Sequence, residues 1–462
     1  MSKKLQFFFL FLIFINGYVS LSLELISLRQ VSSFVGSTAV TASIIIGVFL
    51  AFMSWGYYYG SVISLLKNKS RKLLYINFII IAIMIVLAGS FSVVEINFSA
   101  MNEAGLSSNI LKTFIYSFLF LSVGPFLFGL NTALICRYLH KYNRDYTGKI
   151  MAIDTIGSVL GSLLTTLVLM PLIGVNHTLV LVVGFSLFGA FLVLPRKKDL
   201  VVFPLLICIT YLINSDYALY TRHKIVENNA VSTISILEED GGKSKIMLMN
   251  GSPASKTSED KNLHFEYVKY IEENFINNLP KNEKKDVLVL GAGGFTMGED
   301  DLFHNYTYID IDKSLKDVSE KYFLNKKVSP NKIFVVEDAN QFLKDDTKKY
   351  DLIILDVYSS LHFIPQDLIT KEYFERVKAN LKEGGIMLLN AIVSPSFSNE
   401  YSMKLDNTIR YVFGHNLQRQ TICKSFNPWQ KDKTCNIVYV YYNKKNNANI
   451  YTTNKNTLIY DM

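Results

Sequence analysis

Roughly the first 215 residues consist of long apolar blocks separated by short loops, and this constrains the fold more than any other feature. Runs able to cross a bilayer, about 20 residues each, occupy 5–27, 38–65, 73–94, 110–136, 150–173 and 177–195. A seventh run, Leu200 to Ile213, has 14 residues and contains Pro204. That length fits either a short span or a segment lying in the interface. The chain is 50 % hydrophobic and only 19 % charged, with positive mean hydropathy. The apolar residues are concentrated in the first half; the rest reads as an ordinary α/β sequence. The first run follows Lys3 and Lys4 but shows no small-residue cleavage site and stays apolar through Leu25 and Ile26, so it reads as a retained helix rather than a signal peptide.

Loop charge orients these helices. Lys67, Lys69, Arg71 and Lys72 share one loop, Arg137, Lys141, Arg144 and Lys149 a second, and Arg196, Lys197 and Lys198 a third. The intervening loops, around Ser32–Ser37, Glu95–Asn109 and Val175–His177, are nearly free of Lys and Arg. Basic loops stay in the cytoplasm, which puts the N-terminus there as well. Arg222 and Lys224, just beyond the seventh run, favour an interfacial Leu200–Ile213 and hence a cytoplasmic C-terminal half, carried by the cell (inner) membrane.

Polar residues inside apolar runs are costly and often functional. Glu24 and Arg29 near the end of the first run, Asp154 early in the fifth and Asn131 within the fourth either line a polar path or join helices to one another. Gly157 and Gly161 share one helical face, which permits close helix contact. The formal charge of +8 is largely these loop signals; no basic-aromatic module for nucleic acid is present. Of four cysteines, Cys136 and Cys208 belong to apolar segments. Cys423 and Cys435 pair only if their domain is exported, and a cytoplasmic domain makes them free thiols. No metal-ligand spacing appears.

From about Ile225 the periodicity changes. Val231–Leu237 and Lys245–Met249 read as strands around Gly241-Gly242, a hairpin signal, and Phe265 to Phe275 as a helix. Val287–Leu290 then runs into Gly291-Ala292-Gly293-Gly294-Phe295-Thr296, the strand and glycine turn that open a nucleotide-binding βα unit. Tyr306–Asp310 is a second strand ending in an acid where ribose hydroxyls are bound. Ile333–Val336, closed by Glu337-Asp338-Ala339, is a third; Leu352–Asp356 is a fourth; Gly384-Gly385 leads to a fifth, Ile386–Leu389. Alternating strands and helices imply a parallel, doubly wound sheet, whose ligands bind at the carboxyl ends of the strands. The glycine loop and three carboxylates all fall there. The expected architecture is therefore an α-helical membrane bundle (1–215), a small β-hairpin subdomain (216–282) and a Rossmann-like α/β domain (283–462).

From about 226 to 442 this stretch resembles the spermidine synthases, the polyamine aminopropyltransferases. Their glycine loop looks like Gly291–Thr296, their ribose carboxylate like Asp310 in Asp310-Ile311-Asp312, and their adenine-contacting acid like Asp338. Their catalytic segment looks like Tyr350–Asp356, followed by Pro365, Tyr373-Phe374 and Leu381–Gly385. Asp260 to Glu266 is similar to their DE-x-x-Y-x-E stretch, with His264 where a Tyr is usual. Leu23-Glu24-Leu25, Leu28-Arg29 and Asp154–Gly157 resemble the helices fused to such domains in some bacterial proteins. The resemblance implies a sulfonium nucleoside co-substrate, decarboxylated S-adenosylmethionine or S-adenosylmethionine, and no metal. It implies Asp356 and Tyr358 as catalytic residues, and Gly291, Gly293, Gly294, Asp310, Asp338 and Ala339 as the nucleoside site. His264, Glu266 and Ser359 would lie toward the acceptor.

The departures bear on the acceptor. The family's glycine-loop Asp, which holds the aminopropyl amine, is Gly294 here; its second catalytic Asp, which grips the diamine, is Ser359; and its Gln is missing from Asn250–Ala254. The expected function is a membrane-bound transferase acting on an amine or a lipid-like, membrane-delivered acceptor. A spermidine synthase with replacement carboxylates from Glu266 or Asp367, a methyltransferase on S-adenosylmethionine, and a non-catalytic nucleoside sensor or transporter are the alternatives. A homodimer is an option for assembly.

Overall fold

A computed structural model describes residues 3–36, 38–63, 67–140, 147–260, 263–358, 364–414, 417–422 and 434–444. Ser359, Cys423, Lys141 and Arg144 lie outside the described residues. Contacts divide the chain into two compact units, Met1–Ala254 and Ser255–Met462, so the hairpin residues before 255 group with the helices.

The first unit holds α1 (Lys3–Val35), α2 (Ala39–Val62), α3 (Lys67–Gly89), α4 (Phe91–Glu103), α5 (Asn109–Phe120), α6 (Val123–His140), α7 (Thr147–Leu164), α8 (Met170–Val193), α9 (Asp199–Ile213) and α10 (Asp216–His223). A π-helical turn, Thr165–Leu169, joins α7 to α8, and α8 is broken at Gly174, whose φ is 78°. Five helical stretches are long and apolar enough to cross a membrane; α5 and α6, bent by 46°, make a sixth as a pair. The sequence runs thus reappear as helices, with α4 an extra short one that starts at the end of the third run and continues into the neutral 95–109 region. Gly157 and Gly161 lie flat against the α1 backbone at Phe14 and Tyr18, where a β-carbon would collide with the carbonyl oxygens. That packing is what the small-residue face allows.

Several buried polar side chains in this unit bond to one another, although Asp154 Oδ1 has no partner among the described residues. Asn77 Nδ2 donates to Asn131 Oδ1 (2.7 Å), Asn131 Nδ2 to Asn16 Oδ1 (3.2 Å), and Asn16 Nδ2 to Thr132 Oγ1 (3.1 Å). Thr132 Oγ1 reaches Asp154 Oδ2 at 3.5 Å. Arg29 belongs to a different network. It donates to Ser33 Oγ (2.6 Å), the Asn229 carbonyl (2.8 Å) and Thr233 Oγ1 (3.2 Å), tying the end of α1 to the strands that follow. Glu24 is buried in α1 between them.

Leu200–Ile213 forms α9, and side chains of the helical unit fix both its ends. Its start is fixed among the basic loops: Tyr75 donates to Asp199 Oδ1 (2.8 Å), Arg71 Nη2 to the Val193 carbonyl (2.8 Å), and the Arg196 guanidinium lies 4.4 Å from the Tyr75 ring centre. Its end meets the neutral loops, with Tyr211 5.7 Å from His177, ring centre to ring centre. Helix α9 therefore runs the length of α8 in the opposite direction. Arg222 lies in the last turn of α10 and Lys224 caps its end.

Beyond α10 the unit closes with β1 (Ile225–Asn228), β2 (Thr233–Glu239), β3 (Ser244–Met249) and β4 (Ser252–Ser258), a four-stranded sheet in that order. β2 and β3 form the expected hairpin, pairing Ile234 with Met249 and Leu237 with Ile246. β4 runs across the division between the units.

The second unit holds α11 (Glu266–Ile271), β5 (Asp286–Leu290), β6 (Asn305–Asp310), α12 (Leu315–Val318), β7 (Lys332–Val336), α13 (Ala339–Asp345), β8 (Tyr350–Leu355), α14 (Lys371–Ala379), β9 (Leu381–Val393), α15 (Glu400–Phe413), β10 (Leu417–Ile422) and β11 (Cys435–Tyr442). The sheet order is β10-β11-β9-β8-β5-β6-β7. β5 through β9 pair in parallel, while β11 and β10 run antiparallel at the edge. All five expected strands are present. The fifth is longer than expected and takes in Gly384-Gly385, and the edge strands add a pair not foreseen. Cys435 is disulfide-bonded, which corrects the expectation of a free thiol there.

Candidate active site

The chain leaves β5 toward β6 on one side, and β8 lies on its other side. This reversal of direction opens a crevice at the carboxyl ends of the strands, where doubly wound sheets bind ligands. Gly291 sits in it with φ 92°. A β-carbon there would collide with the Asp356 carbonyl oxygen, so the turn needs glycine for both conformation and space.

Asp310, at the end of β6, faces this turn. Its Oδ2 accepts from the Ala292 N–H (3.0 Å) and its Oδ1 from the Asp312 N–H (3.1 Å). Each oxygen keeps a lone pair for a further donor. Burial pushes its pKa up to about 6, although the backbone N–H groups pull the other way. Asp312 is fully buried and accepts from the N–H (2.9 Å) and hydroxyl (2.7 Å) of Ser314, which makes it part of the turn. Asp338 caps α13: its Oδ1 accepts from the Asn340 (3.0 Å) and Gln341 (2.9 Å) N–H groups. Ala339 is buried beside it. Helix capping thus accounts for one oxygen of Asp338 and leaves the other for a ligand.

Asp356 follows β8 and is held on both sides. Its Oδ2 accepts from the Tyr267 hydroxyl and its Oδ1 from Asn390 Nδ2, both at 2.9 Å. Burial raises its pKa, and these two donors oppose the rise without cancelling it. Asn390 is fixed in turn, its Oδ1 accepting from Asn436 Nδ2 at 2.9 Å. The Tyr358 hydroxyl is taken up by β9, donating to the Asn390 carbonyl and accepting from the Ile392 N–H, each 2.9 Å. The structure therefore uses Tyr358 to hold β9 against the Asp356 loop. Tyr267 and Asn390 were missed in the sequence. Asn390 had a signal, a polar residue extending an apolar strand, whereas Tyr267 looked like helix core.

His264 is buried; its Nε2 lies 3.3 Å from the Ser258 carbonyl and its Nδ1 has no partner among the described residues. Glu266 and Asp367 are both exposed. Gly294 donates its N–H to Ser255 Oγ (2.8 Å), and a β-carbon on it would run into the buried Phe323 ring. The place of the missing glycine-loop acid is therefore closed by an aromatic side chain, not merely emptied. Gly293, with φ 48°, completes the turn.

A Rossmann-like sheet with a glycine turn and strand-end carboxylates at one crevice is the arrangement in which doubly wound sheets bind ligands. Residues 268–430 match the spermine/spermidine synthase domain. Across most of its length the chain is similar to polyamine aminopropyltransferase 2 of Aquifex aeolicus, with 25 % identity over 407 residues, 82 % of this chain and 78 % of that one. It is also similar to the polyamine aminopropyltransferase of Leptospira interrogans, at 25 % identity over 438 residues, 88 % of this chain and 83 % of the relative. A shorter match to the polyamine aminopropyltransferase of Sulfurisphaera tokodaii reaches 33 % identity over 141 residues, 29 % of this chain and 46 % of the other. The first two alignments cover more of the chain than either unit holds alone, so those relatives share sequence in the helical unit as well. These homologues are transferase enzymes.

Proposed function

We propose that the protein is a membrane-bound transferase that moves an alkyl group from a sulfonium nucleoside to an amine. One observation carries this: Asp356 stands at the carboxyl-end crevice, oriented by two neutral donors, with no ion pair among the described residues. In this reading Gly291, Ala292 and Asp310 hold the ribose and Asp338 the base, which the turn geometry around Asp310 supports. The helical unit supplies the membrane attachment.

The chemistry follows from Asp356. A primary amine, with a pKa near 10.4 in water, attacks only as the neutral base. The carboxylate takes its proton and orients it. The amine nitrogen then bonds to the carbon beside the sulfonium sulfur. The carbon–sulfur bond breaks with its electron pair going to sulfur, leaving a neutral thioether nucleoside. Holding both reactants in line supplies the rest of the rate.

Decarboxylated S-adenosylmethionine is the donor that the family's relatives suggest. A second reading has a specific support: with Phe323 packed on Gly294, nothing at that position holds a transferred amine. S-adenosylmethionine, giving up its methyl group, needs no such grip. Thermal unfolding of the purified protein with each nucleoside, and with methylthioadenosine, tests the proposal. A bound nucleoside at 100 times its Kd stabilises by about 2.7 kcal/mol. The donor that stabilises is the one used; stabilisation by none of the three ends the reading.

A further inference from the structure

The helical unit has two chemically different ends. At one end lie Arg71, Arg137, Lys149, Arg196, Lys197 and Lys198; Arg137 donates to the Ser61 (3.0 Å) and Ile63 carbonyls, and Arg71 to that of Val193. At the other lie the end of α1, the start of α4 and the break at Gly174. Gln30 Nε2 donates there to the Gly89 carbonyl (3.0 Å), and the Phe34 and Phe91 rings stand 5.3 Å apart.

The strands β1 and β2 are anchored at this second end. Asn228 Nδ2 donates to Asn176 Oδ1 (3.1 Å), and Arg29 holds Asn229 and Thr233. Helix α10 is anchored there too, through His223 Nδ1 to Glu95 (2.6 Å) and His223 Nε2 to Ser92 (2.8 Å). The stretch Asp199–His223 has 25 residues, 15 in α9 and 8 in α10 on either side of Asn214 and Ser215, together about 34 Å of helix at the helical rise. That exceeds the hydrocarbon thickness of about 30 Å. The chain thus passes from the basic end to the neutral end along α9 and α10, and no later described helix returns it.

We propose that the nucleoside-binding unit stands on the face of the membrane opposite the basic loops, outside the cytoplasm. The orientation follows from the retention of basic loops inside. A separate observation agrees: Cys435, in this unit, is disulfide-bonded, and disulfides persist in oxidising compartments. The inference rests on reading the bundle as membrane-spanning. It also fixes a place in a reaction sequence, since a nucleoside made in the cytoplasm reaches this site only after a transport step.

Two introduced-cysteine probes test it, in a full chain whose Cys136 and Cys208 are replaced by alanine and whose Cys423 and Cys435 are kept, the chain without an introduced cysteine serving as the labelling blank. Lys344→Cys lies on the exposed face of α13, and Gly148→Cys is exposed at the start of α7, where a β-carbon meets nothing. In spheroplasts, a membrane-impermeant maleimide should label Lys344→Cys fully and Gly148→Cys only after lysis. Labelling of Lys344→Cys only after lysis overturns the proposal. Alkaline phosphatase fused after Met462 of the unaltered chain gives the same answer without a cysteine: active if the unit is exported, inactive if the proposal is wrong. Carbonate extraction tests the membrane reading separately, and the transfer assay in detergent is indifferent to sidedness, so the three failures are distinguishable.

Discussion

The two edges of the seven-stranded sheet treat their carboxylates in opposite ways. At the amino-terminal edge, Asp286 contacts Lys348 (2.9 Å) and Lys382 (3.0 Å), and Asp351 contacts Lys382 (2.7 Å). At the carboxyl-terminal edge, Asp310 and Asp356 receive only N–H and O–H donors, and neither forms an ion pair among the described residues. The consequence is visible in their acidity. Burial raises Asp286, but Lys348 and Lys382 more than offset it and leave it below the usual carboxylate range. Asp310 and Asp356, with no cation, end above it. Unpaired buried charge is unfavourable for folding, so a chain keeps it where a ligand supplies the missing partner. The first edge holds the fold together, and the second is the one that the proposed function assigns to chemistry.

This contrast breaks most readily at Asp356. Asp356→Asn keeps the size and loses the base, and should lower transfer by about 10²–10⁴-fold, the usual worth of general base catalysis. Nucleoside affinity by calorimetry should stay within about twofold. A variant that transfers normally would make Asp356 a structural acid like Asp286.

Asp310→Ala comes next. Loss of a charged hydrogen-bond acceptor should weaken nucleoside binding by about 2–3 kcal/mol, measured by the same titration. Unchanged affinity removes the ribose assignment.

The acidity of Asp310 sharpens the comparison further. Ribose hydroxyls donate to the ionised form, so affinity should fall as pH drops through about 6, by up to about tenfold per unit. Without ligand the sign reverses. A carboxyl whose folded pKa is raised costs stability while ionised, and that cost fades as pH falls from about 6 toward its unfolded value. Asp286, with its folded pKa lowered, behaves oppositely: its contribution is present above the unfolded value and is lost as pH falls through the folded one. Chemical denaturation of wild type, Asp310→Asn and Asp286→Asn from about pH 2 to pH 7 separates the two signs, the Asp310 change falling near pH 6 and that of Asp286 below its unfolded value.

Asp286→Ala carries the smallest effect. Its lysine partners are about two-fifths exposed, with side-chain accessibilities of 45 % and 38 %, and solvent screening reduces such pairs to about 1 kcal/mol or less. Stability should fall by that amount, with transfer and nucleoside affinity unchanged.

The carboxyl-terminal edge was largely legible in the sequence because it is written in local pattern. An apolar strand running into Gly291, and strands ending in Asp310 and Asp356, specify positions by spacing alone. The partners of Asp356 were not legible. Tyr267 and Asn390 are 89 and 34 residues away, and only the folded sheet brings them together. Tyr358 carried a catalytic signal by adjacency, yet its hydroxyl serves the backbone of β9. In the helical unit, hydropathy found the helices, but Leu200–Ile213 was too short for length to decide its path. Tyr75, Arg196 and His177 decided it, and none of them is within the segment. The disulfide at Cys435 was likewise hidden, because pairing depends on the compartment as well as on the residues.

The central claim is that the carboxyl-terminal edge performs transfer. The most direct measurement incubates the purified full-length protein in detergent with decarboxylated S-adenosylmethionine or S-adenosylmethionine, a panel of amines and a membrane extract, and follows the nucleoside by mass spectrometry. The account predicts conversion of one sulfonium nucleoside to its thioether, dependent on acceptor, and abolished in Asp356→Asn while binding persists. A wild-type protein that binds the nucleoside but leaves it intact with every acceptor would contradict the account and make the site one for sensing or transport.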